Sequence, residues 1–261
     1  MKQPYLLPDI SQPGKIGCSL PALDVPPAAL PPEELLRTEL ELPEVSEMEL
    51  VRYFTALSRL NYGVDTGFYP LGSCTMKYNP KWHEDIAKFP GFTSIHPYQA
   101  TETAQGALRL MFDLQALLTE ITGMGVTSLA PMAGAQGELA SLLMVKAYHH
   151  SRSNMMRRKI LVPDTAHGTN PATASMCGFE INTVPSDSEG NLDMKRLESM
   201  MNEQVAALSL TIPSTLGLFD PQIITIGQLV HSKGGLLSGD GANPNSLLGK
   251  VKFGDLGFDC V

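Results

Sequence analysis

The sequence predicts an α/β fold in which a mostly parallel sheet carries helices on both faces. Short apolar runs alternate with helical segments through the second half of the chain, and this succession is typical of parallel sheets. A composition of 43% hydrophobic and 18% charged residues is that of a globular chain, which argues against disorder and fibrous structure. No run of about 18 apolar residues occurs, so a membrane-spanning helix is not expected.

Residues 1–45 are predicted to form a proline-rich arm, because proline is too frequent there for regular helix. Such an arm either clasps a partner subunit or is a loosely ordered terminus. Ser46 and Glu49 have the spacing of a capping box and begin a predicted helix that ends near Leu60. In the rest of residues 46–100 the apolar residues follow neither the helical nor the strand period. Long loops with this aromatic and apolar content usually serve function, so we expect a functional role here.

Residues 101–261 are predicted to form the main domain, which begins with a helix over 101–123. Apolar runs predict five strands, at 126–130, 160–162, 179–184, 205–211 and 235–238. Helical segments are predicted between them, at 137–148, 171–177, 192–203 and 221–233. The last residues, from Phe258, predict the start of another strand, and we therefore expect the chain to be cut short of its natural C-terminus.

Charge and cysteine content exclude several classes of function. A net charge of −8 argues against a nucleic-acid partner. The six histidines include no H-E-x-x-H pattern, and the cysteines include no C-x-x-C pair, so no metal site is predicted. The four scattered cysteines suit reduced thiols in a cytoplasmic protein; they are Cys18, Cys74, Cys177 and Cys260. No membrane partner is expected, because the sequence has no long apolar run.

Ligands of open α/β sheets bind beyond the carboxyl ends of the strands, and three loops there have unusual sequences. In the first, Gly134, Ala135 and Gln136 could present backbone N–H groups to a phosphate at a helix N-terminus. The loop has no Walker lysine and no G-x-G-x-x-G pattern, so a nucleotide-binding loop is not expected. A tight strand-to-helix turn without a ligand is an equally good interpretation.

The second and third loops carry the candidate catalytic side chains. His167 follows the strand at 160–162 in a polar loop, which favours a functional role, with a helix N-cap cluster around Asn170 as the alternative. Asp240 ends the strand at 235–238, where pyridoxal-phosphate enzymes carry an aspartate that pairs with the pyridinium nitrogen. A lone Asp-Gly is often only a turn. The order of the three loops along the chain favours the cofactor site.

The stretches LGSCTMKYNPK, SLAPMAGAQGELA, AHGTNPATASMCG and DGANPN closely resemble the glycine cleavage system P-protein family. The match is to its subunit 2, the C-terminal half of fused members, and runs from about Val45 to the last residue. The resemblance implies a partial large domain of pyridoxal-phosphate fold type I, the aminotransferase-like fold. It implies glycine decarboxylation with transfer of the aminomethyl group to the lipoyl arm of H-protein, in partnership with subunit 1.

The resemblance also implies roles for individual residues. His167 would stack on the ring of pyridoxal 5′-phosphate, and Asp240 would bind the ring nitrogen. The other cofactor-binding residues that it implies are Gly134, Ala135, Gln136, Thr211 and Ala242. The loop at the entrance for substrate and lipoyl arm would contribute Ser73, Cys74, Thr75, Lys77 and Asn79. Cys74 is interpreted as structural, because no histidine is paired with it in the sequence.

Two departures from the family pattern qualify these expectations. Ile212 and Ser214 stand where the family usually carries asparagines, which puts the polarity of the substrate site in doubt. The family's Schiff-base lysine lies in a His-x-Asn-x-His-Lys stretch that this sequence does not contain. Lys250 and Lys252 precede the last strand and are interpreted as solvated loop charges. The alternative function is therefore a catalytically incompetent fragment or scaffold, and we expect this chain alone to be inactive.

Overall fold

The computed structural model describes residues 5–67 and 78–261, which divide into two compact units. The first unit ends at Tyr78, and the second is Asn79–Val261. The divisions expected at residues 45 and 100 stay predictions.

In the first unit, the start of the arm is fixed on helix α1, Glu47–Ser58. The capping box forms as predicted, because Glu49 Oε2 accepts from the Ser46 N–H at 2.9 Å and Ser46 Oγ accepts from the Glu49 N–H at 3.4 Å. Lys15 Nζ donates to Glu49 Oε1 at 2.6 Å. The bond from Lys15, together with those from Ser46, lowers the pKa of Glu49 to about 2. Between residues 5 and 45 the only regular structure is two 3₁₀ turns, Leu7–Ile10 and Glu33–Leu35.

Three helices form the first part of the second unit, between residues 82 and 122. Two are short, α2 at Trp82–Ala87 and α3 at Pro90–Thr93, and they lie in the stretch predicted to be irregular. Fewer than two turns are too few for a hydrophobic period to show in the sequence. The third, α4 at Gln105–Thr122, confirms the helix predicted over 101–123, with a 3₁₀ turn before it and Gly123 in the left-handed conformation at its end.

The strand predicted at 126–130 is wrong. This segment is irregular and pairs with no strand of the described residues. Val126 is 82% exposed, and the Thr127 backbone carbonyl accepts from the Gln115 side chain instead of from a ladder partner. An apolar run becomes a strand only where a neighbouring strand satisfies its backbone.

The sheet has four parallel strands with helices between them, as the sequence predicts. Its strands are β1, Lys159–Pro163; β2, Glu180–Val184; β3, Val205–Thr211; and β4, Leu236–Asp240. Its helices are α5, Gly134–Ser151; α6, Thr169–Met176; α7, Met194–Met200; and α8, Ile223–Ser232. The strand order is β2-β1-β3-β4.

The core lies on both faces of this sheet. One apolar cluster joins Leu161 and Leu208 to residues of α7 and α8, such as Leu197 and Ile226. A second joins Ile160, Val162 and Ala207 to residues of α5 and α6; the helix residues are Leu142, Val145 and Ala174. Neighbouring strand residues thus enter opposite clusters, which is the period-2 alternation of a strand buried on both sides.

The free edge of β4 is covered by the last residues of the chain. The Asp259 N–H donates to the Leu237 carbonyl at 2.9 Å, and Asp259 Oδ2 accepts from the Leu237 N–H at 2.7 Å. The same oxygen lies 2.8 Å from His231 Nε2 on α8. The Gly239 N–H donates to the Cys260 carbonyl at 2.7 Å, and Ser238 forms a parallel bridge with Cys260, as expected for the start of another strand.

A buried histidine joins the C-terminal end of α5 to β3. His149 is 1% exposed, and its Nε2 lies 2.9 Å from the Ala206 carbonyl, which makes Nε2 the protonated nitrogen of the neutral ring. Its Nδ1 is buried without a hydrogen-bond partner. Burial, as the largest cause, lowers the pKa of His149 below its usual 6.5.

We expect His149 to make stability depend on pH. Below pH 6.5 the unfolded chain binds a proton at this histidine that the folded chain does not. The free energy of unfolding therefore decreases as the pH is lowered, at most by about 1.4 kcal/mol per pH unit. His149→Gln, which keeps a donor for the Ala206 carbonyl, should reduce this dependence, whereas His150→Gln at the exposed neighbour should not. Urea unfolding at several pH values measures it, and equal pH dependence in wild type and His149→Gln would contradict the assignment.

Candidate functional site

The candidate site lies at the carboxyl ends of β1, β3 and β4. In the sheet, β2 lies on one side of β1 and β3 lies on the other. The direction in which successive strands are added therefore reverses between β1 and β3. Ligands of open α/β sheets bind at such a reversal. His167 and Asn170 follow β1, Thr211 ends β3, and Asp240 ends β4 directly beside Thr211 in register.

Two donors fix the carboxylate of Asp240. Asn170 Nδ2 donates to Asp240 Oδ2 at 3.2 Å, and the Ala242 N–H donates to Asp240 Oδ1 at 2.9 Å. Asn170 is 3% exposed and lies within the first turn of α6. The structure therefore brings the loop after β1 and the end of β4 together through this amide. The side chain of Asn170 does not cap the helix, which was its alternative role.

The same turn of α6 also contacts α5. Thr169 Oγ1 donates to Glu138 Oε1 at 2.8 Å, and Thr173 Oγ1 donates to Glu138 Oε2 at 3.2 Å. Glu138 lies in the second turn of α5, close to the turn at 134–136. The three loops singled out in the sequence are thus connected by hydrogen bonds that start from α6.

His167 stands at the exposed end of this arrangement. Its Nδ1 lies 2.8 Å from Thr169 Oγ1 and 3.2 Å from the Thr169 N–H. Its backbone carbonyl accepts from the Asn170 N–H at 3.0 Å. The imidazole is therefore held by α6 and remains accessible at the carboxyl edge of the sheet.

The turn that begins α5 leaves backbone donors open. Ala133 is the N-cap and provides no side-chain cap. No acceptor among the described residues receives the N–H groups of Gly134 and Ala135, which are exposed. The Gln136 side chain is already engaged, since its Oε1 accepts from the Met132 N–H at 2.6 Å. The open amides at the positive end of α5 suit an anion.

Thr211 has the one other unpartnered polar side-chain atom, besides His149 Nδ1, that is buried among the described residues. It is 6% exposed, and its Oγ1 has no hydrogen-bond partner. A narrow cleft of about 20 Å³ beside it is lined by Thr165, Ser214 and Asp220 among others, and it has room for about one water molecule. Buried hydroxyls without partners are rare in proteins, so Thr211 is a candidate contact for a ligand.

Ile212 and Ser214, which depart from the family pattern, have local explanations. Ile212 is 1% exposed and belongs to the apolar cluster on the α7 and α8 face, so packing accounts for its apolar side chain. Ser214 Oγ accepts from the Leu218 N–H at 3.3 Å and closes the loop after β3. Asn243, after β4, donates to the Pro213 carbonyl at 3.1 Å and ties this loop to the end of β4.

The remaining predicted residues either fall outside the described residues or contact other parts of the second unit. Ser73, Cys74, Thr75 and Lys77 fall outside the described residues. Asn79 is exposed, and its side chain contacts Glu84 and His83 near the start of α2, so its role at an entrance stays a prediction. Lys252 is a solvent-accessible charge in a surface ion pair: its Nζ lies 2.6 Å from Glu120 Oε1, and this bond raises the pKa of Lys252.

The described residues contain neither a metal-binding cluster nor a membrane-spanning helix. No group of three or more His, Cys, Asp or Glu side chains is placed to hold a metal ion there. No helix in those same residues has the length and apolar content to cross a bilayer.

Sequence reasoning missed Glu138, Thr173 and the role of Thr169. A glutamate near the start of a helix is commonly explained by the helix dipole, so nothing local distinguished Glu138. Its partners are 31 and 35 residues away, and only the fold brings them together.

Comparison with known proteins agrees with the resemblance seen in the sequence. A family model described as glycine cleavage system P-protein matches residues 20–244. A probable glycine dehydrogenase (decarboxylating) subunit 2 from Caldanaerobacter subterraneus is 54% identical over 98% of this chain and 54% of that protein. One of the same name from Halalkalibacterium halodurans is 53% identical over 100% of this chain and 54% of its own length. The chain spans about half the length of the curated relatives it matches.

Solved structures confirm the expected aminotransferase-like architecture. An inhibitor-bound glycine decarboxylase (P-protein) superposes with a TM-score of 0.62 at 22% identity, over 87% of this chain and 50% of that one. Sphingosine-1-phosphate lyase from Burkholderia pseudomallei superposes with a TM-score of 0.57 at 15% identity, over 84% of this chain and 49% of that one. At these identities the likeness concerns the fold.

The contact between Asn170 and Asp240 predicts the behaviour of a charge swap. Asn170→Asp should place two carboxylates together in a buried position and destabilise the chain by about 2–4 kcal/mol, with partial recovery in acid as one of them protonates. The double variant Asn170→Asp/Asp240→Asn restores one donor and one acceptor and should regain most of the lost stability. Urea unfolding measures the four proteins. Additive effects of the two substitutions would contradict the contact.

Proposed function

Because the chain belongs to the glycine cleavage system P-protein family, we propose that it forms the pyridoxal 5′-phosphate-binding part of a glycine dehydrogenase (decarboxylating) subunit 2. The observation that carries this proposal is the carboxylate of Asp240, held by two donors at the carboxyl end of a parallel strand. Relatives that are more than half identical across nearly the whole chain support the same activity.

The described residues fit this cofactor at four points. The open N–H groups of Gly134 and Ala135 would bind the phosphate, where the field of α5 favours negative charge. The unpartnered hydroxyl of Thr211 offers a buried hydrogen bond beside Asp240. Asp240 would accept a hydrogen bond from the protonated ring nitrogen, and the exposed imidazole of His167 would pack against the ring.

Pyridoxal phosphate supplies the electron sink that decarboxylation of an amino acid requires. The chain's own part is to keep that sink effective. Asp240 holds a proton at the ring nitrogen because a negative carboxylate, fixed in place, favours the positively charged ring. His167 and the start of α5 orient the ring and the phosphate, so that little ordering is left for the reacting groups.

Glycine is the proposed substrate, and the lipoyl arm of H-protein is the proposed acceptor of the aminomethyl group. The name "subunit 2" of the relatives favours a partner subunit 1. The loop with Ser73, Cys74, Thr75, Lys77 and Asn79 is proposed to admit both substrate and lipoyl arm. A cytoplasmic location is proposed because Cys18, Cys177 and Cys260 are free thiols.

The alternative function is a scaffold that binds the cofactor without catalysis. The 261 residues contain no His-x-Asn-x-His-Lys stretch, in which the family carries its lysine. The two proposals make different predictions for covalent attachment of the cofactor.

Substitution of Asp240 tests the cofactor site directly. Asp240→Asn keeps the shape of the side chain but removes the charge that pairs with the ring nitrogen. We expect the Kd for pyridoxal phosphate to rise about 10- to 100-fold, as for loss of a charged hydrogen bond. Fluorescence titration of the 261-residue chain measures it, with Asp255→Asn at an exposed aspartate as the matched control. A Kd that is the same in wild type and Asp240→Asn would remove Asp240 from the site.

Borohydride reduction separates the enzyme from the scaffold. With pyridoxal phosphate bound, we expect reduction to fix no stoichiometric adduct on this chain, because Lys252 is held by Glu120 and Lys250 precedes the strand start at Cys260. Peptide mass spectrometry of the reduced protein locates any adduct. One equivalent on Lys250 or Lys252, abolished by Asp240→Asn, would instead assign that lysine a catalytic role in this chain.

A further inference from the structure

Glu138 holds two hydroxyl groups of α6 with its two carboxylate oxygens. Oε1 accepts from Thr169 at 2.8 Å, and Oε2 accepts from Thr173 at 3.2 Å. Glu138 is half-buried, and no lysine or arginine pairs with it in residues 5–67 and 78–261. Its negative charge is therefore stabilised by these hydroxyls and by the start of α5.

The proton of the Thr169 hydroxyl decides the state of His167. A carboxylate only accepts hydrogen bonds, so the Thr169 hydroxyl uses its single proton to donate a hydrogen bond to Glu138. The same oxygen lies 2.8 Å from His167 Nδ1 and has only lone pairs left for that contact. The imidazole must then be the donor, which requires a proton on Nδ1.

A second contact competes with this arrangement. The Thr169 N–H lies 3.2 Å from His167 Nδ1 and would need a lone pair on that nitrogen. The two bonds exclude one another, because Nδ1 either carries the proton or accepts one. The shorter contact, 2.8 Å from Nδ1 to Thr169 Oγ1, ends on a hydroxyl whose proton is donated to a carboxylate. Charge-assisted hydrogen bonds are roughly twice as strong as neutral ones, so the hydroxyl keeps this direction and offers Nδ1 only lone pairs. Glu138 therefore favours the Nδ1–H form.

We propose that Glu138, acting through Thr169, is a positioning residue that holds neutral His167 in its Nδ1–H form. Nε2 is then the ring nitrogen without a proton, and it is free to accept a hydrogen bond or a proton. This inference rests on the proposed function in one respect, that His167 lies against the cofactor. There Nε2 would present an acceptor to the bound cofactor or substrate.

Breaking the contact between Glu138 and Thr169, or between Thr169 and His167, should move the ring proton of His167 from Nδ1 to Nε2. In Thr169→Val the hydroxyl is lost, and only the backbone N–H remains beside Nδ1, so the proton should move to Nε2. In Glu138→Ala the freed hydroxyl can donate to Nδ1, with the same result. Thr169→Ser keeps the hydroxyl and should retain Nδ1–H. Thr173→Val removes only the second contact of Glu138 and should also retain it.

Nitrogen NMR of the cofactor-free chain, labelled with ¹⁵N-histidine, reads the tautomer directly. Spectra are recorded at increasing pH and read where the histidine signals no longer change, and the His167 signals are assigned by their loss in His167→Gln. The expected result is Nδ1–H in wild type, Thr169→Ser and Thr173→Val, and Nε2–H in Thr169→Val and Glu138→Ala. Nε2–H in wild type, or an unchanged tautomer in Thr169→Val, would overturn the proposal.

The result of this test depends neither on the folding of Glu138→Ala nor on cofactor binding. Threonine and valine have nearly the same shape, so the Thr169→Val result does not depend on Glu138→Ala folding correctly. The NMR samples contain no cofactor, so the tautomer is measured independently of cofactor binding. If the wild-type chain fails to bind pyridoxal phosphate in a separate titration, that result counts against the proposed function alone. The assignment of Glu138 is decided by the nitrogen signals.

Discussion

The first turn of α6 is the constraint on which the candidate site depends. Thr169 and Asn170 are adjacent in the chain, yet they hold carboxylates that lie 31 residues before and 70 residues after them. Loss of either donor would leave a carboxylate oxygen without its partner in a partly buried place, which costs more than the hydrogen bond itself contributes. This turn therefore sets the distance between the start of α5 and the end of β4. The groups proposed to bind the phosphate and the ring nitrogen lie at those two places.

The turn keeps its place because α6 packs on a sheet that is buried on both faces. All seven residues of β3 are buried, and Ala207 and Leu208 enter opposite apolar clusters. A slip of one residue would exchange small and large side chains between the two faces and disrupt both clusters. The register that pairs Thr211 with Asp240 is thus fixed by core packing far from any ligand.

The sequence predicts the sheet better than the contacts within the site. The strand at 205–211 matches β3, because a continuous apolar run bounded by polar residues is typical of a central parallel strand. The run at 126–130 has similar composition but pairs with no strand that the structure describes, and composition does not reveal pairing. His167 and Asp240 could be selected because residues at the carboxyl ends of parallel strands meet at one edge. The roles of Glu138 and Asn170 could not, because they depend on which side chains the fold brings within hydrogen-bond distance.

The cover on β4 bears on how copies of this chain meet in solution. An uncovered edge strand offers a row of backbone donors and acceptors on which another chain can add a strand. Here the Leu237 N–H and carbonyl and the Gly239 N–H are already bonded to residues 259 and 260. At the opposite edge, β2 exposes the polar side chains of Asn182 and Thr183. Another chain could add a strand at β4 only by displacing residues 259 and 260, and at β2 only beside polar side chains. Both conditions oppose edge-to-edge aggregation.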